Sequence, residues 1–293
     1  MNFSITASPG TVLCKELSLK DYKELLKASY GDDPDLSLFC RTLHDVYTNL
    51  LPQKFVEELT ILDGLLVLIQ IRIASLGDVA SIALKNVDVA TTIELNLNWL
   101  LEDLQEFESQ WKDKLFEVRN NIHLAVGIPY FTKDLEQMES KGDDSTLFLK
   151  RLVEIAEDGT YLQTLKRKDL LKKVFDTMPV KTTAGIFKLI NDCVAQASSI
   201  NTLNRYNIDS EAKLSFIPHP TTLLWYTKIL FNEQLETFYD NIFNLIHHSH
   251  FDGAFLDTCT PGEYKYFVNK QQLLSKEQET SSDNFVDESD MDQ

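Results

Sequence analysis

The stretch that decides the fold is TILDGLLVLIQIRIASLG, residues 60–77. Thr60 with Asp63 three positions later is the capping-box pattern of a helix start, and Gly77 is a residue type that commonly ends a helix. Between these ends, apolar residues occupy nearly every position and not one stripe. A helix that is apolar all round is covered on most of its sides. The sequence therefore predicts a helix that is buried on most of its surface.

A single basic residue, Arg72, interrupts this apolar helix. Charged side chains are rarely buried without a partner, and arginine can extend its head group along an apolar surface to reach water. We therefore expect Arg72 either to reach solvent or to pair with one carboxylate. The alternative is that Arg72 lies at an interface with another protein.

The segments before this helix predict two further helices. Ser18 can cap a helix over residues 19–30, and a second helix fits residues 35–51. After Gly77 the pattern changes, because β-branched residues and partial alternation predict strands. The strands fall at 79–84, 90–97, 115–118 and 122–126, with a helix over 99–110 between the two pairs. We therefore predict an α+β domain over residues 1–137, with N-terminal helices and a small antiparallel sheet.

The second half of the chain has a different pattern, which predicts a linker, a mainly helical domain and a tail. Residues 138–146 are polar and carry a run of charges, which predicts a linker. Residues 147–274 predict a mainly α-helical domain, with helices over 146–159 and 221–248 among others. The last segment, 275–293, has seven acidic residues against one lysine. Such a composition predicts a disordered acidic tail.

The helix predicted over residues 221–248 changes character along its length. Its second half has one apolar stripe, whereas its first half is apolar on almost every side and includes Trp225, Tyr226 and Ile229. Aromatic residues at helical spacing are usually buried, but tryptophan and tyrosine are also enriched at protein interfaces. We favour burial of this first half, and we predict that an interface with a partner or between domains, where one is formed, involves these three residues together with Arg72.

Composition narrows the class of partner. The chain has 293 residues, 43% of them apolar, and a formal net charge of −17. Nucleic-acid binding depends on clustered basic residues, so no nucleic-acid partner is expected and a protein partner is the default. The apolar segments are too short to predict a membrane span, and the N-terminus does not have the pattern of a secretory signal. Four isolated cysteines are expected to be reduced thiols, as in a cytosolic protein; they are Cys14, Cys40, Cys193 and Cys259.

Chemistry-bearing motifs are scarce in this sequence. Phosphate-binding glycine loops, HExxH and GxSxG are not present. The one histidine cluster includes His247 and His250, which are three residues apart and followed by Asp252 and Cys259. This spacing does not match known zinc sites, and histidines in a last helical turn are favoured by the helix dipole. We therefore predict no metal and no cofactor, with a metal-dependent enzyme that uses His247 and His250 as the less favoured alternative.

One later motif, Thr260-Pro261-Gly262-Glu263, predicts a freshly capped helix. Together with SLKDYKELLKAS, LTILDGLLVLIQIRIASLGD and DLLKKVFDTMPVKTTAGIFKLIND, the ending that contains it resembles the baseplate hub subunit and hub-assembly family of T-even-type contractile-tailed bacteriophages. The resemblance is most specific at Arg72, Ser75 and Gly77, and at Thr260-Pro261 followed by Glu263-Tyr264.

This resemblance implies a non-enzymatic phage protein that acts through contacts with other baseplate hub or tail proteins during tail morphogenesis. Its implied location is the host cytoplasm during assembly, and the tail baseplate if it stays in the virion. The alternatives are a tail assembly chaperone or a general helical adaptor.

Overall fold

A computed structural model describes the following parts of the chain. These are residues 2–30, 34–85, 90–110, 114–119, 122–126, 128, 130–132, 151–155, 161–163, 179–185, 188, 216, 220–231, 259–266 and 268–269. In these parts, helices pack with small antiparallel sheets, so the predicted α+β class is confirmed. The predicted linker at 138–146 and the predicted acidic tail at 275–293 lie outside the described residues. None of the described helices is long and apolar enough to cross a membrane.

The chain opens with a β-hairpin that the sequence analysis missed. Strand β1 (Asn2–Ala7) pairs antiparallel with strand β2 (Gly10–Lys15) through a two-residue connection. Gly10 has a φ of 132°, a backbone conformation that residues with a side chain rarely adopt. Successive side chains of a strand point to opposite faces, and Ile5 and Cys14 are buried on the same face of the hairpin.

Three helices follow, and the two that the sequence predicted are confirmed. Helix α1 (Leu19–Ser29) begins at Ser18, whose side-chain oxygen accepts a hydrogen bond from the Asp21 amide at 3.1 Å. Helix α2 (Leu36–Leu50) is capped in the same way by the Asp35 carboxylate. The short helix α3 (Gln53–Glu58) then leads towards residue 60.

Helix α4 (Ile61–Leu76) is the central element, and its predicted capping box is confirmed. The Thr60 hydroxyl accepts from the Asp63 amide at 3.1 Å, and the Asp63 carboxylate accepts from the Thr60 amide at 2.8 Å. The helix ends at Gly77, which has a φ of 89°. Twelve of its 16 residues are buried, as an all-round apolar surface requires.

The predicted strands and helix after α4 are also confirmed. Strands β3 (Val79–Lys85) and β4 (Ala90–Asn96) form an antiparallel pair, and helix α5 (Leu97–Gln110) follows directly and packs on α4. Strands β5 (Lys114–Arg119) and β6 (Ile122–Val126) begin a third sheet.

The helix predicted over residues 146–159 is wrong. Residues in this range form strand β7 (Arg151–Ile155), which pairs with β6, and strand β8 (Tyr161–Gln163) pairs with β7. Short apolar runs fit a helix and a strand almost equally well, and here the open edge of β6 supplies hydrogen bonds to the main chain of β7. The β6–β7 pairing joins the segments on either side of the predicted linker, whose role as a domain boundary stays a prediction.

Helix α6 (Pro220–Leu230) coincides with the start of the helix predicted over 221–248 and packs on α1, α2 and α4. Residues just before and just after α6 in the sequence pack in the same core as the N-terminal helices. The Phe231 ring lies 5.7 Å from the Tyr22 ring, and the Phe216 ring lies 5.7 Å from the Phe107 ring. One hydrophobic core is therefore built from both halves of the chain.

A buried carboxylate, Asp63, links three elements at the start of α4. It is fully buried and accepts from both the amide and the hydroxyl of Ser8 at 2.8 Å, in addition to its bonds with Thr60. Glu108 of α5 approaches it. Burial, together with the negative charge and the hydrogen bond of Asp63, raises the pKa of Glu108 from its ordinary value of 4.5 to about 7. A protonated Glu108 can thus donate to Asp63.

This pairing predicts a pH-dependent stability. The folded protein keeps a proton on Glu108 up to about pH 7, whereas the unfolded chain loses it near pH 4.5. Stability from this group is therefore complete below pH 4.5 and falls as pH rises to 7. Glu108→Gln cannot ionise, so its melting temperature should exceed that of the wild type at pH 8 and match it near pH 5.

Glu106→Gln, an exposed change on the same helix, is the matched control and should not show this dependence. The same difference between Glu108→Gln and wild type at both pH values would contradict the assignment.

Candidate functional site

The guanidinium of Arg72 is buried and bonds to three main-chain carbonyls in two segments of the chain. Its Nε donates to the carbonyl of Leu230 at 2.5 Å, its Nη1 to Gly77 at 2.6 Å and its Nη2 to Val79 at 3.0 Å. The residue is only 4% exposed, so it does not reach solvent. The prediction that Arg72 reaches water is therefore wrong. Main-chain carbonyl oxygens accept its hydrogen bonds, where a carboxylate was predicted. The junction formed by Arg72 and these three carbonyls is called the Arg72 junction below.

Electrostatics at the Arg72 junction have two opposing components. Burial lowers the pKa of Arg72, because a charge is less favourable away from water, while Tyr22 and Asp78 raise it. An arginine side chain starts from a pKa above 12 and does not lose its proton in proteins. The junction therefore holds a positive charge inside the fold, stabilised by charge-assisted hydrogen bonds.

Helix α6 carries the other three residues predicted at an interface, and the structure places them on different sides. Tyr226 is fully buried, Ile229 is half-buried against the core, and Trp225 is 43% exposed. The Trp225 and Tyr226 rings meet edge to face with centroids 5.1 Å apart. Because α6 ends at Leu230, whose carbonyl binds Arg72, the four predicted residues are brought into one region of the fold. Their assignment to an interface stays a prediction.

The predicted TPGE cap is confirmed, and it touches the end of α4. The Thr260 amide donates to the Glu263 carboxylate at 2.9 Å, and the Glu263 amide donates to the Thr260 hydroxyl at 3.3 Å. Between them, Gly262 lies so close to α4 that an added Cβ would sit 2.9 Å from the Ser75 carbonyl oxygen. The Cys259 carbonyl accepts from the Leu19 amide at 2.7 Å. The cap is thus attached to both α1 and α4.

The contact between Gly262 and Ser75 is a feature that sequence reasoning missed. The available signal was the glycine itself, since a glycine inside a capped first turn gives up helix propensity and can mark a close approach of another main chain. The glycine alone, however, does not identify the segment that approaches it.

Most of the less favoured metal site lies outside the described residues, because His247, His250 and Asp252 are there. Cys259 is described and is buried at 3% exposure. Burial, with a smaller contribution from nearby Glu263, raises the pKa of its thiol to about 11, so the neutral thiol predominates near pH 7. A metal-binding cysteine is a thiolate. Within the part of the chain that the structure describes, no group of three potential metal ligands comes together.

A comparison with protein families gives a match over most of the chain. The family described as T4 bacteriophage base plate protein matches residues 1–202, a range that contains Arg72, the hairpin and all elements through β8. No curated protein and no solved structure gives a significant match.

The Arg72 junction predicts a large loss of stability on mutation. Arg72→Met removes three hydrogen bonds and leaves buried carbonyls unpaired, so we expect the free energy of unfolding to fall by about 3 kcal/mol or more. Arg72→Lys keeps a charge but lacks the planar fork, and we expect a smaller loss of about 1–3 kcal/mol. Urea denaturation measures both values.

Arg41→Lys on the exposed side of α2 is the control, expected to change the unfolding free energy by less than about 0.5 kcal/mol. If Arg72→Lys has as little effect as this control, the bonding at the junction is not important for stability.

The contact between Gly262 and Ser75 predicts that two glycine-to-alanine substitutions have different effects on stability. Gly262→Ala places a Cβ against the Ser75 carbonyl, and we expect a loss of about 1–3 kcal/mol from overpacking. Gly64→Ala in α4 is the matched control, because its Cβ would meet only side-chain atoms at 3.8 Å and alanine favours a helix. Thermal melting should show Gly64→Ala as neutral or stabilising, and a neutral Gly262→Ala would refute the close contact.

Proposed function

Because the chain belongs to the T4 bacteriophage base plate protein family, we propose that it is a subunit or assembly protein of the central hub of the phage tail baseplate. The single observation that carries the proposal is the family match, which covers residues 1–202 of the 293. The proposed role is structural: the protein acts through contacts with other tail proteins and uses no catalytic group. It is made in the host cytoplasm and acts in the baseplate of the virion.

The assignment to the hub is supported by a contact between the two segments that carry the most specific resemblance. One is the end of α4 at Arg72, Ser75 and Gly77, and the other is the TPGE cap. They lie far apart in sequence, yet Gly262 of the cap packs against the Ser75 carbonyl. The resemblance therefore concerns one structural unit and not two unrelated segments.

The outer side of α6 is the surface that we propose for a partner of this unit. Trp225 is exposed there, and half-buried Leu224 and Ile229 flank it. Tryptophan contributes strongly to protein interfaces because its large ring gains much from desolvation. Since Leu230 at the end of the same helix is bound by Arg72, the surface is held on a fixed support. A net charge of −17 favours a partner with a basic surface.

Removal of the gene tests the role in assembly. In the phage that encodes this protein, we expect infected cells to contain heads and fibres but no complete baseplates, because a hub component is required for baseplate assembly. Electron microscopy of lysates provides the measurement. Normal tails in the absence of the gene would be incompatible with the proposed function.

Complementation of that deletion tests the α6 surface. Trp225→Ala removes an exposed ring, so it should leave the melting temperature near that of the wild type and reduce plaque formation by about tenfold or more, as expected for an interface hot spot. Trp99→Ala, on α5 and 37% exposed, is the matched control and should complement fully. Equal complementation by both variants would place the partner elsewhere.

A further inference from the structure

The two outer edges of the N-terminal hairpin differ in their hydrogen bonding to the rest of the described fold. On the β1 side, the Thr6 amide donates to the Gln70 side chain at 3.0 Å, and the Thr6 carbonyl accepts from the same amide group at 2.9 Å. The Ser8 amide is bound by Asp63. Helix α4 therefore covers the outer edge of β1 with side chains that imitate a neighbouring strand.

The register of the hairpin shows which groups face outward from β2. Thr6 and Thr11 are directly opposed, and the main-chain groups of Thr6 point away from β2 to Gln70. In an antiparallel pair the opposed residue then also points away, and the pattern repeats at every second residue. The amides and carbonyls of Thr11 and Leu13 therefore face outward, and the Lys15 amide does too. Among the described residues, nothing bonds to these groups of Thr11 and Leu13.

A groove lies beside this part of β2. It has a volume of about 300 Å³ and is bordered by Leu13, Lys15 and the end of α2. Buried Leu50 and Leu51 contribute an apolar lining, together with Pro52. Leu13 itself is 65% exposed. An unpaired strand edge beside a side-chain pocket is the arrangement by which some domains bind an extended segment of another protein.

The charge of the hairpin indicates what kind of segment fits. Residues 2–15 contain no acidic residue and one basic residue, Lys15, in a chain whose net charge is −17. Natural proteins usually protect edge strands with charges or proline, and β2 has no such protection between Thr11 and Cys14. The edge thus offers apolar contact near Leu13 and a positive charge at one end.

We propose that the outer edge of β2 binds an extended segment of another baseplate protein, which adds a third strand to the hairpin. The segment pairs with the main chain of Thr11 and Leu13, places an apolar side chain in the groove, and presents an acidic residue to Lys15. This inference rests on the proposed function for the source of the segment.

A second copy of the same chain fits this edge less well. Two copies would meet over three outward-facing residues only, whereas stable dimers bury about 1,200 Å² or more in total. Two chains of charge −17 would also repel each other. Recognition of an extended segment needs only a short edge and one pocket.

Proline substitution separates main-chain pairing from side-chain contact. Proline is tolerated at an edge strand where its missing amide would face solvent. Leu13→Pro should therefore fold, with an unchanged circular dichroism spectrum, but block an added strand. Leu13→Thr alters the side chain and keeps the amide. The wild-type and variant chains would be co-expressed with the other baseplate proteins of the phage that encodes this chain.

We expect recovery of the complex to fall about tenfold with Leu13→Pro and no more than about threefold with Leu13→Thr, because the affinity resides in the main chain. Lys15→Glu should lower it as well. In the wild-type complex, hydrogen exchange of the Thr11 and Leu13 amides should slow by about tenfold relative to the free protein. This second measurement does not depend on the folding of a variant.

Three results would overturn the inference in different ways. An intact complex in which β2 amides exchange as in the free protein would exclude strand addition and leave the proposed function standing. A chain that joins no complex with these proteins would remove both. Protection of β2 in the isolated protein that rises with concentration, with a doubled mass by light scattering, would show that a second copy occupies the edge.

Discussion

The arrangement of the described core depends on the guanidinium of Arg72 and the three carbonyls that it binds. Two of these belong to helix ends: Gly77 ends α4, and Leu230 is the last residue of α6. The last carbonyls of a helix have no partner within it, and the helix dipole places partial negative charge there. The buried guanidinium lies between two helix ends, and their partial negative charge stabilises it. No carboxylate is needed for this. The planar fork of arginine reaches separate acceptors at once, which the single ammonium of lysine cannot do in the same geometry.

The other polar residues of α4 follow the same principle. Asp63 binds the main chain just after β1, and Gln70 binds Thr6 within β1. Asp63, Gln70 and Arg72 thus fix the hairpin and α6 to this apolar helix, whereas the buried hydroxyl of Ser75 has no hydrogen-bond partner among the described residues. Apolar burial supplies most of the stabilisation but has little directional preference, whereas hydrogen bonds require one alignment. The polar residues of α4 therefore determine how the hairpin and α6 are oriented on a core that would tolerate other packings.

The sequence predicted the elements well and their contacts poorly, for physical reasons that differ between sites. Caps such as Thr60–Asp63 and Thr260–Glu263 act within four residues, so the local sequence contains all partners and both predictions were confirmed. The Arg72 acceptors include Leu230, 158 residues away, and carbonyls leave no mark in the sequence of side chains. Strand β7 was missed because the edge of β6 selects between two conformations that its sequence allows. The hairpin was missed because each strand has only six residues and only β1 alternates apolar with polar side chains, whereas β2 (GTVLCK) has a short apolar run without a clear period.

The contact between Arg72 and α6 also bears on how buried residues can influence a partner interface. Arg72 and Tyr226 are both nearly inaccessible, so neither can contribute much surface to a partner that binds at Trp225. They can still determine the position of Trp225, because Tyr226 adjoins it in the helix and Arg72 holds the helix end. A partner that binds only the correctly placed α6 gains affinity in proportion to the fraction of molecules in that placement. In this arrangement Arg72 and Tyr226 affect binding only through the position of the Trp225 ring. A substitution of either residue therefore changes the stability of the core and the affinity for a partner together.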